Sequence, residues 1–489
     1  MYIREYRVRG ASVVSGAEIG EVVYPFLGPG RLPADVDRAR AAVEKLYHDK
    51  GFQAVAVSIP VQQIKRGTVV LEVAENPVGR LRVRDARFTS PSALKAMAPA
   101  LAEGKVVDFN EVTKQLIAMN QLTGRQVTPD LHAGVEPGTV DIDLKVKESL
   151  PLHGSLELNN LYSANTTELR LNGALSYENL WQLGHTLGLS FQLAPMNVDD
   201  AEVFSGYYLA KLPNSQWSLM LQGTKQDSNV STLGGTAVVG RGEILGLRAI
   251  RALPAGKDFS QSLSVGLDYK HLTQDVSTGD FSPVTYYPLN ALYTASLKGE
   301  HGRTDFNGGI TLHLRGLGNA TEFDNRRYNA QDNFLYFRGD LSHTHDLPGG
   351  LQVFGRVQGQ ASDQPLINSE QFAGGGLGTV RGYLESEQLG DDGVFGTLEL
   401  RSPSLVDKGG ADGTDDWRFY GFFDGGFVSI KSPLPGQDAG NSLASVGLGS
   451  RGRFFQHYNG SLDVGLPLLR RTGGYDRSPM CTFRLWGDF

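Results

Sequence analysis

From Ser155 to Phe489 the chain alternates apolar and polar positions in short segments, with Gly-, Asn- and Asp-rich turns between them. In HTLGLSFQLAP, Leu187, Leu189, Phe191 and Leu193 alternate with Gly188, Ser190 and Gln192. In GGITLHLRG, Ile310, Leu312 and Leu314 alternate with Thr311, His313 and Arg315; in SLDVGLPL, Leu462, Val464 and Leu466 alternate with Asp463 and Gly465. A period of two sends the two sets of side chains to opposite faces of a strand. No apolar run reaches the roughly 20 residues of a membrane-spanning helix. The other structure that satisfies every backbone polar group in lipid is a closed barrel, and the pattern predicts one. At about 10 residues per spanning strand plus connections, 16 strands fit residues 150–489, and counting alone leaves 14 and 18 open. A soluble β-sandwich would also alternate, but it rarely needs so long an unbroken series of strands.

The first 148 residues follow another rhythm, a pattern that occurs twice. Asp35–Gly51, DVDRARAAVEKLYHDKG, has its counterpart in Asp108–Gly124, DFNEVTKQLIAMNQLTG. Each predicts a helix with an acidic residue at its start and Gly at its end. Val36, Ala39, Val43, Leu46 and Tyr47 share one face of the first; Val112, Leu116, Met119 and Leu122 share one face of the second. Two strand-like segments follow each helix: FQAVAVSIPVQQI and GTVVLEVAE in one copy, RQVTPDLHAGV and GTVDIDLKVKE in the other. Before each helix lie a second helix-compatible stretch (Ala17–Leu27; Ser92–Leu101) and a strand (Tyr2–Val8; Gly79–Val83). The order is β-α-α-β-β, twice, and two helices on a three-stranded sheet leave a sheet edge open to another strand.

Composition narrows the picture. A hydrophobic content of 40% is low for a helical membrane protein, yet it suits a barrel in which every second residue faces lipid. The 61 glycines suit many turns and curved strands. A net charge of -7 argues against a general nucleic-acid binder. Cys481 is the single cysteine, so no intramolecular disulfide forms, and an inert packed side chain is the expected role. MYIREYRVRG lacks the apolar stretch of a signal peptide, so a leader is expected to precede this numbering. The last segment, CTFRLWGDF, places Phe483, Leu485 and Phe489 on one face.

Two β-α-α-β-β repeats before a barrel resemble POTRA domains, and the whole chain resembles the Omp85 superfamily. Within it the chain is most similar to the two-partner secretion transporters, the hemolysin secretion/activation branch called TpsB. VSIPVQQIKRGTVVLEVAE resembles the end of that branch's first POTRA, PLHGSLELNN its first barrel strand, and SYENLWQLGHTLGLSFQLAP its next hairpin. Val380-Arg381-Gly382-Tyr383, in GGGLGTVRGYLESE, matches the VRGY motif of a long extracellular loop folded back into the barrel lumen. Phe422-x-Asp424-x-Gly426, in FYGFFDGGFV, matches an inward-facing strand motif. The resemblance implies an Arg381–Asp424 pair that pins the loop, with Gly374, Gly375, Gly376, Gly378 and Gly382 letting it bend. The terminal Phe489 with Phe483 and Leu485 resembles the signal that barrels present to the outer-membrane assembly machinery.

The implied organisation is α+β plus an all-β membrane barrel: POTRA 1 over residues 1–76, POTRA 2 over 77–149, and the barrel over 150–489. The implied function is a pore in the outer membrane of a Gram-negative bacterium, in contact with its lipids and with the POTRA domains in the periplasm. It exports an unfolded partner exoprotein: an adhesin, a cytolysin or a contact-dependent toxin. The POTRA pair would capture the partner by β-augmentation beside a groove formed by Val43, Leu46, Tyr47, Val55 and Val57; the competing expectation is that these form that repeat's own core. The family's N-terminal plug helix has no counterpart in this numbering. No GxxxxGK[ST] loop is present, so nucleotide use is not expected, and vectorial folding outside is the expected drive. No cofactor or metal is expected. There is no GxSxG, HExxH or CxxC signature of an enzyme. His343 and His345, in an expected loop, and ADGTDD at 411–416, in an expected extracellular loop, are weak metal signals. The rival readings are an Omp85-type insertase and a diffusion porin, and a porin needs neither the repeats nor the inward loop.

Overall fold

The computed structural model describes residues 1–64, 66–120, 124–213, 215–228, 240–273, 283–406, 415–470 and 477–489. The chain forms two compact units, Met1–Pro151 and Leu152–Phe489.

The first unit contains both repeats. In the first, β1 (Glu5–Arg9) is followed by α1 (Gly16–Val23), α2 (Pro33–Asp49), β2 (Ala56–Ser58) and β3 (Thr68–Ala74). β3 lies between β1, to which it is parallel, and β2, to which it is antiparallel. The second copies this arrangement with β4 (Val78–Arg84), α3 (Pro91–Met97), α4 (Phe109–Met119), β5 (Arg125–Ala133) and a central β6 (Val140–Glu148). Leu122, assigned to the face of the last helix, lies outside the described residues.

Local chemistry starts the helices. Ser15 and Glu18 form a reciprocal capping box on α1, and Asp108 caps α4 by accepting the Asn110 N–H at 2.9 Å. Pro33 opens α2, where its missing N–H has no partner to lose. Gly51 ends α2 at φ +100°, and its carbonyl accepts the Phe109 N–H at 3.0 Å, which ties the end of α2 to the start of α4.

One carboxylate per repeat holds the turn after the first strand. Glu75 accepts the backbone N–H groups of Ser12 and Val13 at 2.7 and 3.0 Å, and Glu148 accepts those of Arg87, Phe88 and Thr89 at 3.0, 2.8 and 3.2 Å. Burial pushes each carboxyl up, and the hydrogen bonds outweigh it, so both sit below the ordinary glutamate value.

The strand expected over FQAVAVSIPVQQI forms only at Ala56–Ser58. Pro60 carries no backbone donor, and beyond it a side chain takes over the pairing. Gln62 Nε2 donates to the Val70 carbonyl and Gln62 Oε1 accepts the Val70 N–H, both at 2.7 Å.

The second unit is a closed antiparallel barrel in which each strand pairs with its sequence neighbour. The last strand, Met480–Asp488, closes on the first, Leu152–Asn159. Seventeen segments make 16 staves, because Val284–Tyr286 and Leu289–Gly299 both pair with Phe259–Thr273 and are one stave broken before Pro288. Leu189, Leu221, Leu247, Phe337, Phe423 and Leu448 face outward and are exposed, while Gln192, Asp268, Gln360, Glu399, Asp424 and Asp463 point inward and are buried. Apolar outside and polar inside is the order that lipid imposes.

Leu152 starts the first strand at what is here the near end, and alternate connections join strands there. The longest far-end connection, residues 363–391, joins Gln352–Ser362 to Asp392–Arg401. Two expectations are corrected. His343 and His345 are not in a loop but in the strand Phe334–Asp346, on its outer face, with ring centroids 5.9 Å apart. Of ADGTDD, residues 411–414 lie outside the described residues, and the strands that flank this connection, ending at Arg401 and starting at Asp416, join at the near end. That end is opposite to the extracellular one expected.

Candidate functional site

The 363–391 connection turns into the barrel and carries the VRGY residues to its wall. A short hairpin, Phe372–Gly374 against Gln388–Gly390, narrows the loop's base. Beyond it Gly375 and Gly376 take φ +101° and +90°, values a side chain rarely allows, and Thr379 Oγ1 accepts the Gly375 N–H at 2.8 Å. Gly382, at φ +87°, lies against Gly465 of the strand Tyr458–Pro467; a Cβ on Gly465 would come within 2.7 Å of the Gly382 nitrogen. This backbone-to-backbone approach brings the loop to the wall. Of the five glycines expected to bend the loop, Gly375, Gly376 and Gly382 adopt positive φ.

Arg381 is 5% exposed and meets three carboxylates. Its Nε and Nη2 donate to the two oxygens of Asp424 at 2.8 and 2.9 Å, and its backbone N–H donates to Asp424 Oδ2 at 3.1 Å. Nη1 donates to Glu399 Oε1 at 2.7 Å and to Asp463 Oδ1 at 3.3 Å. The guanidinium carbon sits 3.6 Å from the centre of the Phe422 ring, a cation–π contact. Arg401 donates to the second oxygen of Glu399 at 2.7 Å, and the Tyr420 hydroxyl donates to Asp463 at 2.7 Å. A planar fork of donors suits this set, where a lysine would offer a single point of charge.

The other motif residues surround the pair. Val380 and Tyr383 are fully buried, packed with Phe372, Phe395, Val428 and Leu443. The Tyr383 hydroxyl lies 3.1 and 3.0 Å from the carbonyls of Ala444 and Leu469. Phe422, Asp424 and Gly426 lie on the inner face of Asp416–Ser429, and a Cβ on Gly426 would come within 2.5 Å of Phe395. Phe483, Leu485 and Phe489 share the outer face of the last strand and its end, with Thr482 and Arg484 on the inner face.

The groove residues of the first repeat do not line an open groove. Val43, Tyr47, Val55 and Val57 are buried in that repeat's core with Leu71 and Val69, and Leu46 packs against its edge. The apolar face of α2 covers its own sheet, which is the stronger demand in so small a unit.

Sequence reasoning missed Glu399, Asp463 and Tyr420 as partners of the arginine. Each occupies an inward position of its strand, and for the two carboxylates a charged residue at an inward position was the available signal. It also missed the pair at the barrel's seam, where Arg484 of the last strand donates to both oxygens of Glu157 of the first, each at 2.8 Å.

Residues 138–452 match the family described as haemolysin secretion/activation protein ShlB/FhaC/HecB, and residues 1–76 match the ShlB-type POTRA domain. The outer membrane transporter CdiB of Dickeya dadantii is 22% identical over 408 residues, which cover 81% of this chain and 72% of that protein. The heme/hemopexin transporter protein HuxB of Haemophilus influenzae is 20% identical over 412 residues, 78% of this chain and 69% of that protein. The solved structure of CdiB from Escherichia coli superposes with a TM-score of 0.62 at 20% identity, covering 100% of this chain and 90% of that one.

Proposed function

The chain belongs to the haemolysin secretion/activation protein family ShlB/FhaC/HecB, and from that premise we propose that its barrel passes an unfolded partner protein out of the cell. It is an outer-membrane transporter with its POTRA domain in the periplasm, so the far end of the barrel is extracellular. The single observation that carries the proposal is the loop of residues 363–391, buried in the lumen and held there by Arg381. A passive pore needs no such obstruction; a conduit for a chain needs one that can be displaced.

The POTRA pair captures the partner in the periplasm, through a sheet edge and not through an apolar groove. The β2 side of β3 at Val70, which the short β2 does not reach, supports this reading, because there a side-chain amide from Gln62 occupies the place of a strand. An incoming extended segment would supply the same two hydrogen bonds from its backbone. The partner then threads through the lumen and folds outside, and its folding supplies the direction. Transport driven in this way requires neither a nucleotide nor a catalysed reaction. An adhesin, a cytolysin and a contact-dependent toxin all fit as cargo. Phe483, Leu485 and Phe489 present the last strand to the assembly machinery.

The test is secretion of the large exoprotein encoded beside this chain, in cells with and without it. Loss of that protein alone from the medium, with other outer-membrane barrels at normal levels, supports the proposal. Normal secretion with a general fall in barrel levels would identify an insertase.

A further inference from the structure

The inward loop is tied down at a second place, which the arginine pair does not explain. Its first stem carries Glu370, 1% exposed. One oxygen of Glu370 accepts Lys270 Nζ at 2.6 Å and the Tyr286 hydroxyl, and the other accepts the Tyr336 hydroxyl at 2.7 Å. These three partners stand on staves that contribute nothing to the Arg381 cluster. The second stem carries Asp391, which is fully buried. It is paired to both terminal nitrogens of Arg327, with Nη2 at 2.7 Å from Oδ2, and it also accepts the backbone N–H groups of Leu366 and Lys431 at 2.9 and 2.7 Å. Arg327 follows the helix Ala320–Arg326 in one extracellular connection, and Lys431 lies in another. Gln360 joins the two stems: its amide donates to the carbonyls of Glu370 at 3.1 Å and Asp391 at 3.0 Å. An apolar cluster that includes Tyr286, Phe323, Phe334, Leu366 and Ile367 lies beside these groups.

Buried charges in such a position are costly unless paired, and removing one partner of a pair costs more than removing both. Two carboxylates, a lysine and an arginine are therefore a demanding way to hold a loop's base, and they join it to three staves and two other extracellular connections. We propose that Glu370 and Asp391 form a second anchor, independent of Arg381, which seats the loop's stem and closes the extracellular mouth. Release of the tip from Asp424 alone leaves the loop in the lumen; the loop withdraws only when both anchors let go. Glu370, Asp391, Lys270 and Arg327 are positioning residues. The inference needs the barrel and its loop, not the identity of the cargo.

The experiment reads the loop's position directly, without cargo. In the full chain with Cys481→Ser, Gly378→Cys places a thiol at an exposed loop position where a side chain meets nothing within 4 Å. A bulky polymer-linked maleimide is added to intact cells, and heat-modifiable gel mobility confirms that each barrel has assembled. The tip is released by Arg381→Ala. The stem is released by Lys270→Met with Glu370→Gln and Arg327→Met with Asp391→Asn, which remove charges in pairs. The expected result is labelling near the parent rate for either release alone and a rise of at least about tenfold for the two combined, one decade in the open-to-closed equilibrium. A full rise from Arg381→Ala alone, a full rise from the stem variants alone, or no rise from the combination would each overturn the two-anchor proposal. If the four-site stem variant does not assemble, Lys270→Met with Glu370→Gln alone is crossed with Arg381→Ala and judged by the same pattern.

Discussion

Glu75 and Glu148 of the N-terminal unit and the carboxylates around the barrel's inward loop keep different kinds of company. In the N-terminal unit, Glu75 and Glu148 accept backbone N–H groups from a turn that lies beside them in their own sheet. In the barrel, Asp424 and Glu399 accept a guanidinium from the inward loop, and Glu370, on that loop's stem, accepts a lysine from a stave. A carboxylate satisfied by backbone fixes a local shape and survives many sequence changes around it. A carboxylate satisfied by one cation holds two distant segments only while that cation stays. The first arrangement fixes the shape of a unit from within; the second ties a loop to the barrel wall at defined points.

The sharpest break of this contrast is Arg381→Ala. Three carboxylates lose their shared cation, so export of the partner is expected to fall at least about tenfold while the barrel stays heat-modifiable, since removing one member of a buried pair strands the other. Secretion of the exoprotein into the medium measures it, and normal export would show that the tip cluster serves stability only. Next is Tyr47→Ala, which empties the first repeat's core and is expected to cost that unit about 3–5 kcal/mol, read as protease sensitivity of residues 1–76 with the barrel unchanged. Leu247→Lys, at an outward position in the middle of the strand Gly240–Ala252, is expected to destabilise the barrel by about 2–4 kcal/mol in bilayer refolding, whereas lysine at its inward neighbour Arg248 should cost far less.

The smallest effect is a pH dependence. The folded carboxyl of Glu75 lies below the unfolded value near 4.3, so its contribution is complete above that value and is lost as pH falls through the folded one. Glu75→Gln should therefore lower the stability of the first repeat at neutral pH by about 1 kcal/mol, and should flatten the acid limb of its stability curve. An unchanged acid limb would show that the hydrogen bonds to Ser12 and Val13 add no pH-dependent stability.

Much of this molecule was legible in its residues. A period of two repeated over more than half the chain is enough to announce a barrel. Two copies of one β-α-α-β-β rhythm announce two similar units, because helix faces and caps are local properties. The Arg381 and Asp424 motifs could be matched as short strings, and the structure joins them by two side-chain hydrogen bonds. The second strand of the first repeat was overestimated, since alternation continues through Ile59–Ile64 while Pro60 and the amide of Gln62 end the backbone pairing. The apolar face of α2 was legible as a face, but whether it met a partner or its own sheet was not.

What only the tertiary structure decided is which inward polar residues meet. Along a strand, Glu399, Asp463 and Lys270 look like any other position facing a wet lumen. Their partners lie 18, 82 and 100 residues away, and no local rule links them. Closure of the barrel sets the register of every stave, the register sets which side chains share a level, and a loop turned inward then meets that level at particular points. Periodicity determines the face of each residue; only the closed ring and the folded loop determine its neighbour, because the energy of a buried charge depends on what stands opposite it and not on what precedes it in the chain.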